Sequence, residues 1–159
     1  MKNLITLPFT SPNAAIERTG SVLTLHAEGR QLDGMFYEFR TGAVALEEYL
    51  AIDYTILGIR RQLLRRGTVV WGLRGKEQIP LICYDDLSMD NRVHSLAVRV
   101  PSGEYDGLLF RFAIDRRTKA DWTIHSLYTC KEHELPTACG RIMGGQRKAY
   151  RPLDLSAQY

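Results

Sequence analysis

The sequence predicts an α+β fold, in which a mainly antiparallel sheet of five to seven strands is packed by one long amphipathic helix. Apolar residues recur at helical spacing between residues 42 and 66, and the period changes to two after Gly67. The 159 residues are 45% hydrophobic and 25% charged, as in ordinary globular proteins. We therefore expect a single domain over residues 1–159, with a sheet that is a meander or closes into a barrel.

The N-terminal segment predicts an extended stretch followed by a short helix. Residues 2–9 are typical of extended chain. Ser11 and Pro12 form a helix start signal, with serine as the cap and proline at the first helical position. The helix would run through Ile16 and end at Gly20.

Two strand candidates follow this helix. Residues 21–27 alternate well enough for a strand, and residues 35–40 form a second one. Asp33 and Gly34 between them are turn residues. The pattern therefore predicts a hairpin over residues 21–40.

The strongest pattern predicts a helix over residues 42–66, which contain no proline. Thr41 can act as its N-cap and Gly67 as the residue that ends it. Acidic residues lie near its start and arginines near its end, an order that complements the helix dipole. Its apolar face would be formed by Ala45, Tyr49, Ile52, Ile56, Ile59 and Leu63.

Residues 68–128 predict a five-stranded antiparallel meander, because the β-rich segments are joined by short connectors. The predicted strands are 68–73, 79–84, 93–100, 108–114 and 122–128. Phe110 and Phe112 share one strand face, which is more typical of a core than of a nucleic-acid surface, and Arg111 lies on the other. Residues 130–159 read as an irregular basic tail.

The net charge of +3 is concentrated in clusters in which arginine outnumbers lysine. Arginine offers a planar fork of donors that fits phosphate and carboxylate groups. A role in solubility alone is the alternative interpretation. We predict that the residues of these clusters bind anions; they are Arg60, Arg61, Arg65, Arg66, Arg116, Arg117, Lys119, Arg141, Arg147, Lys148 and Arg151.

One pair within these clusters resembles part of a known signature. Arg61 and Arg65 form R-x-x-x-R, and Asp86 and Ser88 follow about twenty residues later. The pattern resembles the two-part motif of PilZ domains, although Asn91 stands where that motif ends in glycine. The resemblance implies a β-barrel that binds cyclic di-GMP through its arginines.

Two further groups nominate metal sites of different kinds. Cys130, His133 and Cys139 have spacing that zinc could use, but a structural zinc site needs four ligands. A loop carboxylate group, consisting of Asp85, Asp86 and Asp90, could bind Mg²⁺ in a small hydrolase. Turn-forming and loop roles are the alternatives for both groups, so we expect no metal and no cofactor.

The chain contains no diagnostic catalytic motif, and the charge pattern favours a non-catalytic regulatory protein. We expect it to engage nucleic acid or a nucleoprotein complex through its arginine clusters. The alternatives are a cyclic di-GMP sensor, an adaptor that docks an acidic protein surface, and a metal-dependent hydrolase. Three cysteines without framework spacing and no signal-peptide pattern predict a cytoplasmic protein that does not engage a membrane. A homodimer and a subunit of a larger complex both stay open.

Overall fold

A computed structural model describes residues 1–29, 36–59, 67–114 and 119–135, and these residues form a β-sandwich. The strands are β1 (Lys2–Asn3), β2 (Phe9–Thr10), β3 (Ala15–Thr19), β4 (Val22–Glu28), β5 (Tyr37–Thr41), β6 (Val44–Leu46), β7 (Tyr49–Leu57), β8 (Thr68–Arg74), β9 (Glu77–Cys83), β10 (His94–Arg99), β11 (Gly103–Tyr105), β12 (Gly107–Phe112) and β13 (Lys119–Cys130). Two single turns of 3-10 helix, Tyr84–Asp86 and Glu132–Glu134, are the only helical elements in this part of the chain.

The strands form two main sheets in which every pairing is antiparallel. The six-stranded sheet has the order β10-β7-β13-β4-β3, and β1 pairs with β13. The five-stranded sheet has the order β2-β5-β12-β8-β9. A short pair, β6 with β11, lies outside both sheets. Strands that are distant in sequence are therefore neighbours, as β13 lies between β4 and β7.

The predicted α+β fold with a long helix is wrong, because residues 44–46 and 49–57 are strands. Apolar residues in β7 alternate, with Leu50, Ile52 and Ile56 in the core, so the same segment satisfies a period of two. Its isoleucines, tyrosines and threonine also favour extended chain. Gly58, which a helix would hold in its interior, instead ends β7 with a φ of +86°.

The predicted hairpin and the predicted meander are both replaced by pairing between strands that are distant in sequence. β4 and β5 do not form a hairpin, because they lie in different sheets. The predicted strands after Gly67 match β8, β9, β10, β12 and β13 to within a few residues, but they are shared between two sheets rather than joined in a meander.

The predicted helix after Ser11 is also replaced by extended chain. The Ser11 hydroxyl does accept the amide protons of Asn13 and Ala14, as a cap would. The following residues then enter β3, which pairs with β4 along its whole length. A local capping signal therefore ends in a turn, because the sheet satisfies the backbone groups that a helix would have paired.

The core lies between the two sheets and is rich in aromatic side chains. Trp122 of the six-stranded sheet is fully buried and contacts Phe110 of the five-stranded sheet, with ring centroids 5.2 Å apart in an edge-to-face arrangement. Phe39 stacks on Phe112 at 5.5 Å. The expectation that Phe110 and Phe112 are core residues is confirmed. Among the described residues, no helix has the length and apolar character that crossing a bilayer requires.

Candidate functional site

The outer face of the five-stranded sheet carries an apolar row that charged residues flank. Arg40, Leu109, Trp71 and Pro80 lie directly opposite one another on β5, β12, β8 and β9. Their neighbours in the strands, such as Phe39, Phe110 and Val70, point into the core. We call this surface the aromatic face, and it consists of Glu38, Arg40, Trp71, Pro80, Leu109 and Arg111.

The charged groups of the aromatic face are held in place by one another. Arg111 donates from Nε to Oε2 of Glu38 over 2.7 Å, and its guanidinium lies over the Trp71 ring, with the guanidinium carbon 5.2 Å from the ring centroid. Arg40 approaches the other oxygen of Glu38 at 3.5 Å and is 47% exposed. The face therefore presents a fixed aromatic ring beside donors and acceptors of defined geometry, an arrangement that suits a flat ligand with a polar rim.

The outer face of the six-stranded sheet is different in kind, because small polar side chains cover it. Thr24, Thr123 and Thr55 are aligned across β4, β13 and β7. Asp53 accepts hydrogen bonds from Ser126, at 2.6 Å, and from Ser95. We call this surface the polar face; it comprises Thr24, His26, Asp53, Thr55, Ser95, Asp121, Thr123, His125 and Ser126.

A β-bulge contributes two side chains to the polar face. The register between β13 and β7 shifts between Ile124 and Ser126, so His125 is an extra residue in the ladder. His125 bonds Thr55 through Nε2 at 2.9 Å, and Ser126 bonds Asp53. The bulge therefore directs two consecutive side chains to one face, which a regular strand cannot do.

A cleft opens at one edge of the polar face, around His26. Residues 11–15, His26, Glu28 and Gly29 line it. His26 contacts Asp121 through Nδ1 at 2.5 Å and Glu28 through Nε2 at 3.1 Å. The hydrogen bond to Asp121, supported by that to Glu28, raises the pKa of His26 above its ordinary value. The hydrogen bond from His26 in turn lowers the pKa of Glu28.

The predicted arginine clusters fall almost entirely outside the described residues. Only Lys119 is described; it is exposed at the start of β13 and lies opposite Glu28 of β4. Outside lie Arg60, Arg61, Arg65, Arg66, Arg116, Arg117, Arg141, Arg147, Lys148 and Arg151. Their assignment as anion-binding residues stays a prediction.

The candidate metal ligands have other roles where the structure describes them. Cys130 is buried, and this burial raises its pKa; His133 is exposed, and Cys139 lies outside the described residues. The Asp86 carboxylate accepts the amide proton of Cys83, whereas Asp90 pairs with His94 at 2.6 Å. Within the described ranges no three histidine, cysteine, aspartate or glutamate side chains form a metal-binding group. The alternative of a magnesium-dependent hydrolase built on these carboxylates is therefore wrong.

Comparison with known proteins gives the fold and no close relative. No protein-family model matches the chain, and no curated protein matches it. A glutamate-to-arginine variant of a family 29 carbohydrate-binding module is 11% identical and has a TM-score of 0.54, covering 86% of this chain and 94% of its own. An arginine-to-alanine variant, made to probe ligand recognition, is 10% identical with a TM-score of 0.51 and the same coverage. A lysine-to-alanine variant complexed with cellulohexaose is 10% identical with a TM-score of 0.50, covering 80% and 85%. The chain thus shares the sandwich fold of these modules.

This shared fold corrects the functional predictions made from the sequence. The expected binding of nucleic acid or a nucleoprotein complex is wrong, since the similar solved structures reported above, at 10–11% identity, are carbohydrate-binding modules. The same finding removes the adaptor for an acidic protein surface. The PilZ-like sensor is wrong as well, because the chain forms an open sandwich rather than a barrel and Asp86 is buried as a backbone cap.

Sequence reasoning missed the aromatic face because its residues are far apart in the chain. Glu38, Trp71 and Arg111 come from three strands and form no linear motif. One signal was available: Arg111 alternates with Phe110 and Phe112, which places a charge on the face opposite two aromatic core residues. The partners of Arg111 across the sheet could not be read without the register.

Proposed function

We propose that the chain is a carbohydrate-binding module whose ligand lies on the aromatic face. The observation that carries the proposal is the Trp71 ring, half-buried on an outer sheet face and flanked by Arg111. The fold shared with family 29 carbohydrate-binding modules supports it, and one of those neighbours is complexed with cellulohexaose.

The chemistry of the aromatic face fits a sugar chain. A pyranose ring has a face of C–H groups and an edge of hydroxyls, so it can stack on an indole while its hydroxyls bond charged side chains. Trp71 supplies the apolar platform, Leu109 is fully buried next to it, and Glu38, Arg40 and Arg111 supply acceptors and donors. Because Glu38 fixes Arg111, little side-chain entropy is lost when a ligand binds.

Replacing the platform residue tests the proposal. We expect Trp71→Ala to weaken binding of cellulohexaose about 30-fold or more, the loss typical of an aromatic hot spot. Isothermal titration calorimetry with the full chain gives the affinity. The matched control is Leu57→Ala, which removes an exposed apolar side chain from the other sheet and leaves affinity unchanged. An unaltered affinity in Trp71→Ala, or a wild-type chain that binds neither cellulohexaose nor soluble glucans, would overturn the proposal.

A further inference from the structure

The cleft beside His26 has the volume of a ligand site. Its volume is about 520 Å³, within the range of small-molecule sites. It lies on the side of the six-stranded sheet, since His26 and Glu28 share a strand face with Thr24 of the polar face. It is therefore separate from the aromatic face, which belongs to the other sheet.

The walls of the cleft are fixed by hydrogen bonds before any ligand arrives. Asn13 donates from Nδ2 to the carbonyl of Phe36 and accepts the amide proton of Glu38 through Oδ1. Ser11 closes the turn that carries Asn13. The hydroxyl of Tyr37 donates to the carbonyl of Glu28, which holds the end of β4. A rigid cleft of this kind loses little conformational entropy on binding.

The charges around the cleft balance, and its ring nitrogen and carboxylate are bonded to each other. Asp121 and Glu28 are negative, Lys119 is positive opposite Glu28, and the His26 imidazole contacts one carboxylate through each ring nitrogen, which favours its protonated form. Neither a cation nor an anion is favoured by this sum. Nε2 of His26 bonds the Glu28 carboxylate over 3.1 Å, and when the Glu28 side chain turns outward this ring nitrogen and the carboxylate can bind two adjacent hydroxyls, one accepting and one donating.

We propose that this cleft is a second carbohydrate site, which binds a neutral sugar ring through two adjacent hydroxyls held by His26 and Glu28. The inference rests on the proposed function, since it takes the same class of ligand. Pro12, Ala14 and Ala15 give the ring a small apolar wall. The Glu28 side chain is 62% exposed, so it can turn toward a hydroxyl without disturbing the sheet. Asp121 positions the imidazole and does not itself line the cleft.

Calorimetry with cellotriose, a ligand short enough to occupy each site separately, tests the second site. We expect two molecules of cellotriose per wild-type chain and one per Trp71→Ala chain. Adding Glu28→Gln to Trp71→Ala should weaken the remaining site about tenfold or more, because a charged acceptor is lost. Glu17→Gln in the same background removes an exposed carboxylate from neighbouring β3 and should change nothing. In NMR spectra, cellotriose should still shift the His26 ring signals of Trp71→Ala.

The outcomes separate the two proposals. One molecule per wild-type chain, abolished by Trp71→Ala, would overturn the second site and leave the proposed function standing. A remaining site in Trp71→Ala that Glu28→Gln does not weaken would also overturn it. Binding that Glu28→Gln abolishes and Trp71→Ala leaves intact would support the cleft and overturn the aromatic face as the ligand surface. No binding of cellotriose or cellulohexaose by the wild-type chain would overturn both.

Discussion

The two outer faces of the sandwich differ in the interactions that their side chains make. On the aromatic face, Trp71, Leu109 and Pro80 form an apolar row beside an ion pair. On the polar face, side chains mostly bond one another, as Asp53 does with two serines. The inward side chains of both sheets are constrained by packing in the core. The outward side chains are not, so their chemistry can differ between the two sheets. The proposed ligand surface therefore depends on outward residues rather than on the fold.

The largest expected loss of stability comes from removing a side chain that joins the two sheets. Trp122→Ala should lower the free energy of unfolding by about 3–5 kcal/mol, because it removes a fully buried ring that joins the sheets through Phe110. Trp71→Ala, which removes a half-buried ring, should cost about 1 kcal/mol. Urea denaturation measures both variants. Equal losses would mean that Trp71 is a core residue and that the aromatic face is no ligand surface.

An intermediate effect distinguishes the polar contacts of the two faces. Asp53→Ala should cost about 2 kcal/mol, because it deprives Ser95 and Ser126 of a charged acceptor that links β7 to β10 and β13. Glu38→Ala removes an ion pair at the surface and should cost only about 0.5–1 kcal/mol.

Salt separates these two losses further. The loss in Glu38→Ala should shrink in about 1 M NaCl, where charges are screened over about 3 Å. The loss in Asp53→Ala should persist, because it arises from short hydrogen bonds to hydroxyls, and Asp53→Asn should recover part of it. A salt dependence as strong in Asp53→Ala as in Glu38→Ala would contradict this account of the polar face.

The smallest expected effect is the pH dependence that His26 gives to the polar face. Its folded pKa is raised, so the folded chain holds the proton more tightly than the unfolded chain does. The resulting stability is fully present below the unfolded pKa of about 6.5 and is lost as the pH rises through the folded pKa. Asp121→Asn removes the main cause and should flatten this dependence, which NMR titration of the ring and urea denaturation can follow. A His26 ring that titrates identically in both proteins would exclude the Asp121 contact.

Local physics explains which parts of the fold could be predicted. The strands after Gly67 are visible because β-branched and aromatic residues alternate between turn residues. Residues 49–57 were misassigned because Ile52 and Ile56 satisfy the helical and the extended period alike. Their pairing with β10 and β13 favours the strand, and the paired residues lie about forty to eighty positions away in the sequence.

The candidate site was harder to predict from the sequence than the fold. A linear pattern reveals a run of like charges more readily than a single charged residue. The arginine clusters form such runs, whereas Arg111 is a single charge between two phenylalanines. Its role depends on Glu38 and Trp71, which β5 and β8 bring to its two sides. His26 is far from any acidic partner in the sequence apart from Glu28, although Asp121 lies directly opposite it in the ladder.

Local sequence patterns are sufficient to predict the strand-forming segments from Thr68 onward and the inward direction of Phe110 and Phe112, because alternation and side-chain shape act over a few residues. The two-sheet sandwich and the contact of Trp71 with Arg111 depend on pairing between distant strands. Antiparallel pairing joins residues of any separation, and the choice among partners depends on the core that all the strands bury together.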